Sequence, residues 1–407
     1  MRTWITTIVF AALFAVSGCT SVDPISPCSC GTGSANFNKF YVIGDSYTAG
    51  IQNGGLVAGF QQASYAALLA QAVRAPSFAM PLISEPGIPP LMFVASYVPL
   101  ALDTLAGVGA PTNSTHPAAY NNLGIPSARV NDLLSKSPAP DPNPFYQIVL
   151  RNPAFGTSAV GQAAGAQPTF LAAWMGMSDV YLSAQAGTDL AMTPVASFES
   201  DYRTAIDALR AAAGAMVAAN IPDIVTIPFF TTIPRILVDP VTRQPILIGG
   251  NPVPLLGEFQ GGSGPLPSGT LLTLPAATLL AQGIGVPVVA GGTGNPLPDA
   301  VVIDPTELGN IRARIGAFNT VIDSICTNRG IPVVDAFAKF NALAASGVEI
   351  RGETYTTDYI SGGLFSVDGL HPSALGHWTV AREFIRVINA SYAASIPDPP
   401  LPIGPLR

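Results

Sequence analysis

The chain has 407 residues, of which 48% are hydrophobic and only 11% are charged, and its formal net charge is −7. This balance excludes an intrinsically disordered chain and provides no basic footprint for a nucleic-acid partner. The length allows two average domains or one large α/β domain, and 40 Gly and 39 Pro predict many long loops.

The N-terminus has the pattern of an export signal. Arg2 supplies a positive charge, residues 5–16 are mostly apolar, and Ser17 and Gly18 precede Cys19. The apolar run is shorter than the ~20 residues of a membrane-spanning helix and suits a signal-peptide core. The segment resembles the lipobox of bacterial lipoproteins, which implies cleavage after residue 18 and a lipid on Cys19. An ordinary secretory signal with an incidental cysteine is the alternative.

The residue after that cysteine indicates where an exported lipoprotein would be sorted. Thr20 stands in place of the Asp that commonly retains such proteins in the inner membrane. The outer membrane or the cell surface is therefore the expected location, with the membrane contacted through the lipid on Cys19.

The other cysteines are Cys28, Cys30 and Cys326. Their spacing fits neither a Cys-x-x-Cys redox motif nor a zinc site. A structural disulfide is compatible with export but would leave one of the three thiols over, so the sequence leaves the pairing open.

Apolar runs and helical periodicities alternate along the rest of the chain. In chain order they predict strand 40–43, helix 64–73, strand 121–124, a helical turn at 129–134, strand 169–175, helix 198–220, strand 224–227, helix 304–326, strand 331–335 and helix 373–389. Such alternation predicts a parallel sheet covered by helices on both faces. In sheets of this kind the chemistry gathers at the carboxyl ends of the strands.

Two short motifs carry the groups of a nucleophilic hydrolase. Ser46 lies on the turn that leaves the first predicted strand, and Asp368 stands three residues before His371, just ahead of the last predicted helix. A serine, a histidine and a carboxylate are the parts of such an enzyme. Gly-Asp-Ser alone is ordinary turn chemistry, and it is the second motif that favours catalysis.

Four blocks of sequence, in this order, resemble the SGNH or GDSL-type hydrolase superfamily. They are IGDSYTAG at 43–50, NLGIPSARV at 122–130, WMGMSDVY at 174–181 and DGLHP at 368–372. The resemblance implies a three-layer α/β/α, flavodoxin-like fold with a parallel sheet, apolar loop insertions and no cofactor. Together with the composition of the two ends, it predicts signal peptide 1–18, tether 19–38, hydrolase domain 39–395 and Pro-rich tail 396–407.

The resemblance also implies a catalytic triad. Ser46 would be the nucleophile, His371 would take its proton, and Asp368 would hold the imidazole in the right tautomer. His377 has no carboxylate at comparable spacing and is expected to be structural or exposed. The sequence contains no HExxH motif and no other metal-ligand spacing, so no metal is expected.

The oxyanion site departs from the family pattern. The backbone N–H of Ser46 would be one donor, Ser127 stands where the family usually has a glycine, and Ser178 stands where it usually has an asparagine. Supporting roles are expected for Asp45, Gly176 and Asp179. Because a serine hydroxyl is a shorter donor than an asparagine amide, and losing one such donor costs ~3 kcal/mol of transition-state stabilisation, a slowed esterase is expected.

Two apolar segments interrupt the predicted sheet, at about 81–117 and 243–299. Loops of this length in a compact domain tend to be functional. They would form a lid or a wall for an acyl chain, or else small hairpins packed on the core.

The expected function is hydrolysis of carboxylic esters, such as lipid or short acyl esters, through an acyl-serine intermediate. A polysaccharide O-deacetylase is one alternative. A surface lipoprotein that uses the fold for binding, with catalysis weakened at Ser178, is the other.

Overall fold

A computed structural model of the protein describes residues 31–97 and 100–402. The predicted signal peptide, Cys19, Cys28 and Cys30 lie outside these residues. None of the helices in this part of the chain is long and apolar enough to cross a membrane.

A five-stranded parallel sheet forms the centre of the molecule. Its strands are β1 Phe40–Gly44, β2 Asn122–Gly124, β3 Phe170–Trp174, β4 Ala215–Ala219 and β5 Val333–Val334. They pair in the spatial order β2-β1-β3-β4-β5, and every neighbouring pair is parallel. This is the flavodoxin-like doubly wound order, in which the chain reverses direction across the sheet between β1 and β3. The predicted fold class is confirmed.

Helices occupy the connections between these strands. In the described residues they are α1 Ser46–Ala49, α2 Ala58–Gln62, α3 Tyr65–Ala72, α4 Val130–Ser135, α5 Phe145–Leu150, α6 Ala159–Gly165, α7 Ser178–Gln185, α8 Val195–Ala212, α9 Pro228–Thr231, α10 Ala276–Ala281, α11 Pro305–Thr327, α12 Ala336–Ser346 and α13 Ala374–Tyr392. Helix α3 packs against α13, whereas α8 packs against α4, α6 and α11. The sheet therefore lies between two groups of helices, and all residues of β1 and β3 are buried.

The predicted helix 198–220 is wrong in its last eight residues, 213–220. Helix α8 ends at Ala212, and β4 follows as a strand that pairs with β3 on one side and β5 on the other. Alanine favours a helix locally, but a buried place between two strands overrides so weak a preference.

The predicted strand 224–227 is also wrong. Ile224–Thr226 is a turn of 3-10 helix, because the Asp223 carboxylate accepts a hydrogen bond from the Val225 N–H and caps it. Ile224 is buried within this turn and Ile227 just after it, whereas Val225 is half-buried, and the fourth strand of the sheet is β4.

The two insertions fold into small two-stranded ribbons. The first contains Met92–Tyr97 paired with Leu100–Thr104, and the second contains Leu247–Ile248 with Asn251–Pro252 and Leu256–Phe259 with Gly262–Pro265. The second insertion and the residues just after it also form a separate buried cluster of apolar side chains, made up of Leu255, Leu266, Leu272, Ala276, Val286, Leu297, Val301 and Val302. Two further ribbons join Leu271–Leu272 to Val302–Ile303 and Val348–Ile350 to Glu353–Tyr355.

Both ends of the described chain pack on the domain. Phe37 of the predicted tether is buried, with its ring 4.5 Å from that of Phe170 in β3. At the other end, Ile396 is buried and the Trp378 indole N–H donates to the Pro399 carbonyl at 2.9 Å. The folded part therefore extends beyond 39–395 in both directions.

Candidate active site

Ser46 lies where β1 ends and α1 begins. The Asp45 carboxylate caps this helix by accepting from the Tyr47 N–H at 3.2 Å. Gly44 is required just before the turn, since a Cβ there would lie 2.2 Å from the Trp174 carbonyl oxygen. Ser46 is partly exposed while both of its neighbours are buried, so the turn presents one hydroxyl at the carboxyl end of the sheet.

Asp368 and His371 form a hydrogen-bonded pair at the same end of the sheet. The distance between His371 Nδ1 and Asp368 Oδ2 is 2.9 Å, and both residues are buried. The other carboxylate oxygen accepts from the backbone N–H groups of Leu370 and His371, each at 2.8 Å. Since the carboxylate can only accept, Nδ1 carries the proton and Nε2 is left as a base.

The pKa of Asp368 lies below its usual value despite burial. Burial alone would raise the pKa, but the electrostatic interaction with His371 and the hydrogen bonds from His371 and Leu370 favour the ionised form and outweigh burial. Gly54 donates a further backbone hydrogen bond to Oδ2 at 2.7 Å. The carboxylate therefore stays charged beside the imidazole.

Residues far apart in the sequence hold the serine turn and the histidine loop together. The Tyr47 hydroxyl donates to the Leu370 carbonyl at 2.6 Å, and the Tyr47 ring centroid lies 5.6 Å from that of His371. The Asn53 N–H donates to Ser366 Oγ at 2.9 Å. Sequence reasoning did not single out these positioning residues, although Tyr47 lies within the first block.

Most of the predicted catalytic and oxyanion residues line one small cavity. Its volume is about 60 Å³, and Ser46, Ser127, Ser178 and His371 all line it. The structure thus brings together residues from the ends of β1, β2 and β3 and from the loop before α13. Asp368 does not line this cavity, but it contacts His371, which does.

Ser127 adopts a backbone conformation that favours glycine. Its φ is +61°, in the left-handed region, and its side chain is exposed. A non-glycine residue there costs roughly 1–2 kcal/mol. Ser127 thus keeps a left-handed backbone conformation that glycine would adopt more readily, and it lines the cavity.

Ser178 begins α7, and its hydroxyl lies towards Asp45. It donates to Asp45 Oδ2 at 3.4 Å, and Ser178 is buried. The Ser178 side chain therefore lines the cavity, but its hydroxyl makes a long hydrogen bond to Asp45, the residue next to Ser46.

Asp179 and Gly176 position the second and third blocks. The Asp179 carboxylate accepts from the Val130 N–H at 3.0 Å and from the Thr193 hydroxyl at 2.7 Å, so it joins the start of α4 to the segment between α7 and α8. Burial raises the pKa of Asp179 to about 6, against these two hydrogen bonds. At Gly176, φ is +111° and a Cβ would lie 2.9 Å from the Phe198 ring.

A larger, mostly apolar cleft opens on the other side of His371. Its volume is about 450 Å³. The first insertion contributes Met92 and Leu102 and the second contributes Leu274 and Ala277, while Phe229 of α9 completes the wall. The two insertions are thus hairpins that also line a cleft at the triad.

Comparison with known proteins places this site in a family. The sequence profile of the GDSL-like lipase/acylhydrolase family matches residues 40–384. The chain belongs to this family. It is a carboxylic ester hydrolase, as the motifs predicted.

The solved structures that this GDSL-like hydrolase resembles include two enzymes. Axe2, an acetylxylan esterase from Geobacillus stearothermophilus, is 14% identical with a TM-score of 0.38, over 88% of this chain and 96% of that chain. LAE5, an α/β hydrolase enzyme from the metagenome of Lake Arreo, Spain, is 14% identical with a TM-score of 0.39, over 88% and 97%. A comparison with curated proteins finds no match.

His377 and Cys326 are core residues of this GDSL-like hydrolase. His377 is fully buried, and burial lowers its pKa to about 3, so it stays neutral. Cys326 is a free, buried thiol in α11. Within residues 31–97 and 100–402, no three His, Cys, Asp or Glu side chains are arranged to hold a metal ion.

Ser178→Asn is expected to raise turnover of an ester about tenfold or more, because the longer amide reaches the oxyanion that the serine hydroxyl does not, and one such donor is worth ~100-fold or more. Steady-state kcat measures this, with Ser178→Ala as the matched control that removes the hydroxyl without adding a donor. A fall in kcat for a folded Ser178→Asn protein would contradict the oxyanion role of this position.

Asp45→Asn is expected to stabilise the fold more at pH 8 than at pH 5. Burial raises the pKa of Asp45 from 3.8 to about 7, although the Tyr47 N–H, His371 and the Ser178 N–H favour its charge. The folded state therefore binds this proton more tightly than the unfolded chain, and the stability gained at low pH is lost as the pH rises through about 7.

Asparagine can cap α1 as aspartate does and carries no charge at either pH. The measurement is the melting temperature of variant and wild type at both pH values. An equal difference at pH 5 and pH 8 would show that Asp45 does not titrate between them.

Proposed function

We propose that this GDSL-like enzyme hydrolyses apolar carboxylic esters through an acyl-serine intermediate, with Ser46 as nucleophile, His371 as general base and Asp368 as the carboxylate that orients it. One observation carries the proposal. The Asp368–His371 hydrogen bond of 2.9 Å fixes an imidazole in the wall of the cavity that Ser46 also lines.

The proposed reaction has two stages, acylation of Ser46 and hydrolysis of the acyl-serine. His371 Nε2 takes the proton of the Ser46 hydroxyl as Oγ attacks the ester carbonyl carbon, and the carbonyl oxygen becomes an oxyanion. In this proposal the backbone N–H groups of Ser46 and Ser127 stabilise the charge on that oxygen, whereas the Ser178 hydroxyl donates to Asp45 and does not reach it. When the C–O bond breaks, His371 gives its proton to the leaving alcohol, and water then attacks the acyl-serine by the same route.

The character of the large cleft supports an apolar substrate. The wall that the insertions and Phe229 form beside His371 is mainly hydrocarbon, and burying hydrocarbon there contributes about 0.8 kcal/mol per CH₂. A polysaccharide O-deacetylase would need a polar cleft for its sugar, so we place this alternative second.

The proposed reaction predicts two results for the full chain. It hydrolyses p-nitrophenyl acetate, and a fluorophosphonate forms a covalent adduct that peptide mass spectrometry locates on Ser46. A folded protein that hydrolyses none of the p-nitrophenyl esters from acetate to palmitate and takes up no label would support the binding function instead.

We also propose that the enzyme is an exported lipoprotein, tethered to the outer membrane or cell surface through a lipid on Cys19. The proposal rests on the small residues before Cys19 and on Thr20 after it. Metabolic labelling with a fatty-acid analogue tests it, and a label that persists in Cys19→Ser would contradict it.

A further inference from the structure

We propose that the acyl group of the substrate is short and lies in the small cavity beside Ser127 and Ser178, and that the apolar part of the substrate is its leaving alcohol, held in the cleft between the two insertions. This assignment rests on the proposed function and specifies which half of the ester each cavity takes.

The two cavities meet at His371. Leu370, His371 and Gln185 line both of them. Ser46 lines only the small cavity, and Leu102 only the large cleft. A space of about 60 Å³ and one of about 450 Å³ therefore adjoin each other at these three residues.

The chemistry decides which half of the ester lies on which side. In the tetrahedral intermediate the oxyanion points to the proposed backbone donors at Ser46 and Ser127, and the acyl substituent lies on the same carbon beside it. The leaving oxygen must lie within hydrogen-bond reach of His371 Nε2, because it receives its proton there. The alcohol therefore extends past His371 into the large cleft.

The walls of the small cavity restrict the acyl group. Tyr181 is buried, and its hydroxyl donates to the Pro222 carbonyl at 3.0 Å, which fixes the ring. Met177 is also buried, and Leu182 adds a third large side chain to the lining. A cavity of about 60 Å³ with such walls suits an acetyl group better than a long acyl chain.

Backbone hydrogen bonds connect the walls of the large cleft to the segments beside Asp368 and His371. On one side the Phe229 N–H donates to the Gly369 carbonyl and the Leu274 N–H to the Phe229 carbonyl, both at 2.8 Å. On the other side the Met92 N–H donates to the Asn53 carbonyl at 2.8 Å. These hydrogen bonds hold the cleft next to His371. A leaving alcohol bound in the cleft would then lie close to the imidazole that gives it a proton.

A pair of isomeric esters tests the assignment. Hexyl acetate and ethyl hexanoate have the same formula but carry the apolar chain on opposite sides of the ester bond. We expect kcat/KM of the full-length wild-type chain to be about tenfold or more higher for hexyl acetate, since single methylenes in an apolar pocket already give ~10-fold discrimination. Equal values, or a preference for ethyl hexanoate, would overturn the assignment.

A substitution in the cleft gives a second, independent readout. Ala277→Phe narrows the cleft from α10, and Ala281→Phe on the same helix, outside the lining, is the matched control. We expect Ala277→Phe to lower the preference for hexyl acetate over ethyl hexanoate about fivefold or more, and Ala281→Phe to leave it unchanged. A selective loss of ethyl hexanoate hydrolysis would assign the cleft to the acyl chain and overturn the proposal.

Failure of the proposed function itself gives a different result. In that case neither ester is hydrolysed, and the fluorophosphonate leaves Ser46 unlabelled. Labelling of Ser46 with a reversed ester preference would retain the serine hydrolase and reject only the assignment of the two cavities.

Discussion

Ser46→Ala is expected to reduce ester hydrolysis by about 10⁴-fold or more. The variant loses the only atom that the proposed reaction joins to the acyl group, and the imidazole of His371 then has no hydroxyl to deprotonate. Transition-state binding by the backbone donors survives, so a small residual rate above the uncatalysed reaction remains.

The fold is expected to tolerate the change. Asp45, not Ser46, provides the side-chain cap of α1, and Ser46 is partly exposed. Ser135→Ala is a matched control, because it removes an exposed hydroxyl at the end of α4, a helix that does not contain any residue of the proposed triad. The measurements are kcat/KM for p-nitrophenyl acetate and the melting temperature. A Ser46→Ala protein within tenfold of wild type would reject Ser46 as the nucleophile.

The sequence predicts those parts of the fold whose signal is local. The strand β1 is an apolar run followed by a turn motif, and α11 is capped by Asp304, which accepts from the Thr306 and Glu307 N–H groups as its capping pattern predicts. The strand β4 escapes prediction because its five residues, from Ala215 to Ala219, are mostly alanine. They form a strand because β3 and β5 bury them on both sides, which is a tertiary effect.

In the candidate site, too, local contacts can be predicted from the sequence and long-range contacts cannot. Asp368 and His371 are three residues apart, so one loop brings them into contact and the spacing alone predicts the pair. The bonds that place this loop beside the nucleophile join residues separated by 323 positions, for Tyr47 and Leu370, and by 314, for Gly54 and Asp368. Contacts between residues so far apart leave no periodic pattern in the sequence. The division of the site into two cavities likewise depends on where the insertions fold back.

Asp368→Asn is the second change with a large expected effect, and its reason lies in the four donors around the carboxylate. Oδ1 accepts from the Leu370 and His371 N–H groups, and Oδ2 accepts from the Gly54 N–H and faces His371 Nδ1. An asparagine must place its NH₂ group in one of these two positions. Either orientation sets a donor against donors, and the orientation towards His371 favours the tautomer that has its proton on Nε2.

We expect this variant to lose about 10⁴-fold in kcat, because a histidine protonated on Nε2 cannot accept the proton of Ser46. The buried amide left without acceptors is expected to lower the free energy of unfolding by about 1–3 kcal/mol. Asp358→Asn is the control, since that carboxylate is exposed and accepts a hydrogen bond from the Thr356 hydroxyl, a role that the asparagine side-chain oxygen retains.

The two measurements separate orientation from stability. If Asp368 acts by holding the imidazole, kcat falls at every temperature below the melting transition, including temperatures at which the variant is fully folded. If it serves only to hold the loop, kcat recovers on cooling as the folded fraction recovers. Full activity in a folded Asp368→Asn protein would remove Asp368 from the triad, and the tautomer of His371 would then have to be set by some other group.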